Sequence, residues 1–425
     1  MRSIVRREGN MRALSHAAGL LVGAALISAP AQAADPPKAE VIHWWTSGGE
    51  AAAVKVFADA FDQAGGQWID SAVAGGGGEA ARTAGINRIV GGNPPTMMQF
   101  NTGKQLDELV ANGYLATLDP AAAAGKWDAL LPKAIVEASK RDGHWYALPV
   151  NVHGANWLFY NAKVLADAGA PEPKTWSDVI SAGPKLKAKG VIPFAHGGQS
   201  WQDHLLFDAV LIGEGGSDLY LKVYGKDAQA AIASPQFKRV AEVFKQLRDL
   251  MDAGMPGRNW NDATAMVITG KAGFQVMGDW AKGEFLAAGQ TPGKEYGCAI
   301  VGNEGGYVMG GDVFVFPKQT DPNATAAQAK LESLLLAPEV QIAFNSKKGS
   351  VPVRTDLDVS SMDQCAQKGA AALKDPKKQI PGPSYLISPD ENGALNDVIT
   401  QYLNTPGETA DEFVAKFAAA VKAAG

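Results

Sequence analysis

Aromatic and polar side chains gather at a few points along this sequence. Trp44 and Trp45 precede Ser47, Gly48, Gly49 and Glu50; Trp201 lies between Ser200 and Gln202-Asp203; Trp280 follows Gly278 and Asp279. Lys104, Asn151, His153, Asp312, Lys348 and Arg354 stand at similar break points. Indole faces stack on the C–H face of a pyranose, and carboxylates accept hydrogen bonds from sugar hydroxyls. The mixture suits a neutral, polyhydroxylated ligand. A glycosidase could use the same parts. It would need two carboxylates about 5–9.5 Å apart, one with a raised pKa, and Glu50, Asp203, Asp279 and Asp312 are the candidates. Trp44 and Trp45 also admit a core reading, because adjacent strand residues point to opposite faces. His153 and His204 are isolated, and each reads as a hydrogen-bonded structural histidine. No G-x-S-x-G, H-E-x-x-H, G-x-G-x-x-G or EF-hand pattern occurs. No metal, cofactor or catalytic residue is therefore expected.

The elements that must position these groups alternate between strand and helix. Residues 41–45 read as a buried strand, and the helix after Glu50 carries Val54, Phe57, Ala58 and Phe61 on one face. Strands are expected at 68–73, 96–100, 145–149, 155–160, 192–196, 273–277 and 312–316, with 151–154 a connection. The glycine run 75–78 is no phosphate-binding loop, since no Gly-Lys-Ser/Thr follows it. A helix is expected over 82–90, and another from 101–103 to about Asn112. Lys104 lies at the start of that second helix, a poor place for a cation unless it reaches into a cleft. Thr175 to Asp178 is a capping box, and Ser234-Pro235 opens a long helix. Helix is expected over 324–344 with a break near Pro338, followed by a loop over 345–354. Three tryptophans thus follow strand ends, the edge of an open α/β sheet where ligands bind.

Composition sets the class. Arg2, Arg6, Arg7 and Arg12 precede an apolar run at 17–29 and an Ala31-Gln32-Ala33 cleavage pattern, so residues 1–33 read as a signal peptide. The run is shorter than the ~20 residues of a membrane-spanning helix. Its removal leaves 392 of 425 residues, enough for two domains. The net charge of −5 becomes −8 without those four arginines and Glu8, which argues against nucleic acid and anionic membranes. Export to an oxidising compartment favours pairing of Cys298 with Cys365 over two buried thiols.

With these motifs in place, the chain resembles the periplasmic sugar-binding proteins of ABC transporters, nearest the glucose- and mannose-binding branch. The resemblance runs from about Val41 to the last helix. It is carried by HWWTSGGE (43–50), LPVNVHGANWLFYN (148–161), AHGGQSWQDHLLF (195–207), MGDWAKGEF (277–285) and FNSKKGSVPVR (344–354). It implies an α/β fold of two lobes with three crossover segments, near Asn151, Asn303 and Ser350, and a ligand cleft between the lobes. Residues 40–150 with 304–350 would form one lobe, and 151–303 with 351–425 the other. The implied sugar contacts are Trp44, Trp45, Glu50, Lys104, Trp280, Asp312 and Lys348, joined by His153, Trp201 and Asp203. The implied partners are a sugar and the membrane permease, with the protein a periplasmic monomer that performs no chemistry. A secreted carbohydrate-active enzyme and a sugar sensor for a chemoreceptor are the alternatives. Glucose-binding relatives carry an Asn where Gly310 stands and a His after the Pro-Ser at 383–384. Here Tyr385, Leu386, Ile387 and Ser388 follow that pair.

Overall fold

The computed structural model describes residues 35–302 and 306–424. The expected signal peptide and the expected crossing near Asn303 lie outside these residues. Two large sheets organise the chain. The first has the strand order Gln67–Ala72, Lys38–His43, Met97–Asn101, Asp312–Val315, Ala147–Pro149. Its first three strands run parallel, and the last two are antiparallel additions from distant sequence. The second sheet has the order Tyr296–Ile300, Trp157–Asn161, Ala272–Met277, Ile192–Phe194. Only its last pair is parallel.

A third, small sheet joins them, in the order Val351–Pro352, Asn151–Gly154, Tyr307–Gly310, Gln379–Pro381. The chain leaves the first sheet at Pro149 and enters the small one at Asn151. It returns between Gly310 and Asp312, and enters again after the helix Pro338–Lys348. Asn151 stitches two of these passages together. Its Oδ1 accepts from the Asp312 backbone N–H at 2.7 Å, and its Nδ2 donates to the Asp312 carboxylate at 2.8 Å. Residues 307–310, expected in one lobe with 312–350, pair in the joining sheet instead.

Local sequence explains most element ends. The Thr175 hydroxyl accepts from Asp178 N–H while the Asp178 carboxylate accepts from Thr175 N–H, so the helix Trp176–Ala188 opens on a complete capping box. Ser234 caps Pro235–Arg248, whose Phe237 and Phe244 pack with Phe207, Tyr402, Phe413 and Phe417. That aromatic cluster fixes the last two helices on the second sheet's side. In the first sheet's core, Phe57 stacks on Phe344 with ring centroids 4.0 Å apart. The disulfide Cys298–Cys365 has a Cα separation of 6.2 Å and ties the strand Tyr296–Ile300 to the helix Gln364–Ala372 across 67 residues. Closing a loop of that length contributes about 4 kcal/mol on the chain-entropy account. Among the described residues no helix is long and apolar enough to cross a membrane.

Two expected boundaries move. Residues 151–154 form a strand of the joining sheet rather than a connection. The helix Pro338–Lys348 runs through 345–348, where a loop was expected, and stops at Gly349 with φ of 88°.

Candidate functional site

The first strand, expected over 41–45, runs from Lys38 to His43 instead, so Trp44 and Trp45 lie just beyond its carboxyl end, before the helix Gly48–Gln63. They part company there. Trp45 turns inward and is 1% exposed, edge-on to Phe314 at 5.6 Å and 5.3 Å from Phe344. Trp44 stays partly exposed against Gly78. Its backbone N–H donates to Gln99 Oε1 at 3.0 Å.

Gln99 leads to the most buried part of the site. Its Nε2 donates to Asp312 Oδ1 at 2.8 Å. The other Asp312 oxygen accepts from Asn151 and lies 2.7 Å from His153 Nε2. His153 Nδ1 lies 2.5 Å from Asp279 Oδ1, and the second Asp279 oxygen accepts from Gly154 N–H at 3.0 Å. Asp312 opens a strand of the first sheet, Asp279 follows a strand of the second, and His153 sits on the joining sheet. One imidazole therefore bridges both lobes. Both its nitrogens face carboxylate oxygens, to which the doubly protonated ring donates, although Asn151 Nδ2 also lies 3.1 Å from Nε2. Burial alone lowers the His153 pKa, but the charges and hydrogen bonds of Asp279 and Asp312 together outweigh it and hold the pKa raised. Burial pushes Asp312 the opposite way, yet His153 and then Lys348 and Asn151 bring it down to about 2.

Around this core the remaining groups divide. Lys348 ends its helix 3.0 Å from Glu50, which also accepts from Ser47 Oγ at 3.2 Å. The ammonium lies 5.7 Å from the Trp45 ring and 5.6 Å from the Trp280 ring. Trp280 is partly exposed, edge-on to His153 at 5.0 Å and 6.4 Å from Trp201. Trp201 in turn faces Gly77 of the glycine run. The structure thus assembles Trp44, Trp45, Glu50, His153, Trp201, Trp280, Asp312 and Lys348. It places three candidates elsewhere. Asp203 is fully buried, with His196 at 2.7 Å and Thr400 at 2.8 Å on its two oxygens. Lys104 donates to the Leu386 carbonyl at 2.8 Å. Arg354 is spent on Asp356 and the Leu336 carbonyl.

Sequence reasoning missed Gln99 and Arg82. Gln99 left a signal, a single amide within the otherwise apolar Met97, Met98 and Phe100. Arg82 followed the glycine run with nothing to mark it.

The two lobes touch along a seam of glycines. Gly49 N–H donates to Glu284 Oε1 at 2.8 Å. A Cβ on Gly49 would lie 2.5 Å from the Gly283 carbonyl carbon, and one on Gly349 would lie 2.4 Å from the Asp279 carbonyl oxygen. Gly49 and Gly349 come from the first lobe, Gly283 and Asp279 from the second.

Chemically, the site offers indole faces from both lobes, paired carboxylates, amides and an ammonium. Among the described residues no group of three or more His, Cys, Asp or Glu is placed to hold a metal. Two tryptophan substitutions separate the roles. Trp45→Ala should cost about 3–5 kcal/mol of stability, as for other large core truncations. Trp280→Ala should melt near the wild type and lose ligand affinity. Urea unfolding of both variants checks this, and equal destabilisation would place Trp280 in the core.

Residues 44–340 match the family described as bacterial extracellular solute-binding protein. A Rhizobium meliloti (strain 1021) protein named probable sugar-binding periplasmic protein is 40% identical over 408 residues, 94% of this chain and 97% of that one. A protein of the same name from Brucella suis biovar 1 (strain 1330) is 39% identical over 415 residues, 96% and 97% of the two chains. Among solved structures, the bacterial solute receptor AcbH, described as exclusive for β-D-galactopyranose, superposes with a TM-score of 0.76 at 20% identity, covering 92% of this chain and 98% of its own. The fold is the two-lobed fold of periplasmic solute-binding proteins.

Proposed function

The chain belongs to the bacterial extracellular solute-binding protein family, and from that premise we propose that it is the periplasmic sugar-binding component of an ABC importer. It takes a monosaccharide or small sugar derivative between its lobes and delivers it, as a monomer, to the membrane permease. ATP is hydrolysed elsewhere in the transporter. The carrying observation is the convergence of Trp44, Trp201 and Trp280, from both lobes, around the Asp312–His153–Asp279 bridge. Indole faces hold sugar rings, and buried, pre-aligned carboxylates and amides read hydroxyls. Trp44, Glu50, Trp201, Trp280, Asp312 and Lys348 are the proposed contacts. His153 acts through the two aspartates. Lys104 steadies the adjoining segment at Leu386, and Asp203 steadies the second lobe through His196 and Thr400.

Hydrolysis fits these residues poorly. A glycosidase needs a carboxyl group held protonated as general acid. Asp312 is instead held down to about 2, and it shares His153 with Asp279.

The test is a thermal-shift screen of the mature protein against neutral monosaccharides, disaccharides and sugar acids. A ligand at 100 times its Kd stabilises by about 2.7 kcal/mol, a shift of several degrees. Turnover of a glycoside by the purified protein, or no shift with any sugar, would reject the reading.

A further inference from the structure

The glycine run and Arg82 form one wall of the same cleft. The sequence sets three glycines at positive φ in a row of four, Gly75, Gly77 and Gly78, before the helix Glu79–Val90. Only residues without a side chain fit two of these positions. A Cβ on Gly78 would meet the Trp44 ring at 2.6 Å, and one on Gly77 would meet the Trp201 ring at 3.1 Å. The run therefore threads between an indole of each lobe. One turn into the helix, the Arg82 guanidinium sits 5.7 Å from the Trp44 ring centroid. Its one side-chain hydrogen bond among the described residues is a long one, 3.4 Å from Nη1 to the Gly77 carbonyl.

Four other partly buried arginines of this chain are treated differently, while Arg248, in the last turn of the helix Pro235–Arg248, also has no carboxylate at ion-pair distance among the described residues. Arg88, Arg141, Arg258 and Arg354 approach the carboxylates of Glu40, Asp107, Asp252 and Asp356 at 2.5, 2.5, 2.5 and 2.7 Å. Arg82 has no carboxylate at ion-pair distance among the described residues. Burial lowers its pKa, and only the charge of Glu79 opposes that. The neighbouring cations of the cleft are already matched, Lys348 by Glu50 and His153 by two aspartates. None of the Arg82 nitrogens is an orphaned buried donor, so water serves those left free, and its planar fork matches the carboxylate or phosphate that would displace that water in a bidentate manner. The ring of Trp44 beneath it supplies a cation–π contact but accepts none of its N–H bonds in the plane of the fork.

We infer that Arg82 reads an anionic group on the ligand, so that the cleft takes a sugar bearing a carboxylate or a phosphate in preference to its neutral parent. This rests on the sugar-binding reading above and sharpens it to a substrate class. The sugar ring would lie against the indoles, with its hydroxyls toward Asp312 and Glu50. Its acidic substituent would point to the corner where Arg82, Trp44 and Gly77 meet.

The test is isothermal titration calorimetry of the mature chain with matched pairs: glucose against glucuronate and glucose 6-phosphate, galactose against galacturonate, mannose against mannose 6-phosphate. In the wild type, the acidic member of at least one pair should bind tenfold or more tightly than its neutral parent, and the gap should narrow between low and high salt. The uronate and phosphate arms identify which anion is read. Arg82→Gln should bring the acid-to-neutral affinity ratio to about one, and Arg82→Lys should keep part of it. Neutral sugars that bind as well as or better than every acidic partner overturn the inference and leave the sugar-binding reading standing. So does an acid preference that survives in Arg82→Gln. Absence of binding in every arm overturns both. The wild-type comparison decides the matter even where a variant fails to fold.

Discussion

Gly49→Ala and Gly283→Ala should each leave the protein folded and cost it about a hundredfold in ligand affinity. The two residues face one another across the lobes from the first turns of the helices Gly48–Gln63 and Ala281–Ala287. Alanine is the better helix former by about 1 kcal/mol per position, so neither helix suffers on its own account. The cost appears only where the lobes meet. A Cβ on Gly49 would stand 2.5–2.8 Å from three backbone atoms of Gly283, and one on Gly283 would stand 2.8 Å from the Lys347 carbonyl oxygen. Backbone cannot swing aside as a flexible side chain can, so the seam must open. A ligand that needs both walls then meets a closed state of reduced population, and its apparent affinity falls by that fraction. Every 1.4 kcal/mol against closure is tenfold, and a clash of this kind is worth about two such steps, within the 1–3 kcal/mol of an overpacked contact. Gly49 adjoins Glu50, whereas Gly283 does not, so agreement between the two variants separates loss of closure from damage to Glu50. Small-angle scattering with ligand present should show a larger radius of gyration for both. Wild-type affinity and wild-type compaction in either variant would mean that the seam is not part of the liganded state.

The fold was legible because its signals are local. Alternation of apolar strands with capped amphipathic helices placed most strands of the two large sheets to within a few residues. Pro338 marked the break between the helices Pro322–Leu334 and Pro338–Lys348. The joining sheet was legible only through the resemblance, which placed crossings near Asn151 and Ser350, and not through local pattern. Asn151 and His153 look like loop residues, and their strand Asn151–Gly154 exists only because Tyr307–Gly310 and Val351–Pro352 arrive from far away to pair with it. The site was legible in its residue types and not in their allegiances. Trp44 and Trp45 are adjacent and chemically identical, and only the packing of Phe314 and Phe344 decides which is core. Asp203 sits beside a tryptophan after a strand, as Asp279 does, yet His196 and Thr400 claim it. Arg82 became visible as a cleft residue only once the glycine run was seen lying between two indoles, because nothing in the sequence says which residue a helical arginine will fail to find.

His153→Ala should cost as much stability as the Trp45 truncation, about 3–5 kcal/mol near neutral pH, the range for stripping one partner from a buried ionic cluster. Asp279 and Asp312 are 1% and 3% exposed. Without the imidazolium they become two buried carboxylates facing an emptied space, with Gln99, Asn151, Gly154 N–H, a 3.4 Å approach of the Tyr307 hydroxyl and the charge of Lys348 for relief. The pH dependence carries the sign. His153 has a raised pKa in the folded state, so its contribution is complete below the unfolded value and fades as pH rises through the folded one. Asp312 is depressed to about 2, so its contribution is complete above the unfolded carboxylate range and fades as pH falls toward that value. Wild-type stability from this cluster therefore forms a plateau bounded by Asp312 on the acid side and His153 on the alkaline side. In His153→Ala the surviving carboxylates repel and are desolvated, so a proton on either of them stabilises the fold. The wild type also gains on acidification, because the His153 contribution is complete only below its unfolded pKa, so the stability of the variant itself is the readout, and it should rise on going from pH 7.5 to pH 5. Urea unfolding at the two pH values measures it. A variant no more stable at pH 5 than at pH 7.5, or a loss below about 1 kcal/mol at neutral pH, would show that the two aspartates do not depend on His153 for their charge, a loss no larger than an ordinary hydrogen bond. Because Asp279 and Asp312 belong to different lobes, the same substitution removes a side chain that ties the lobes together at the floor of the cleft. Ligand affinity should therefore fall with stability, and both should be partly restored at pH 5.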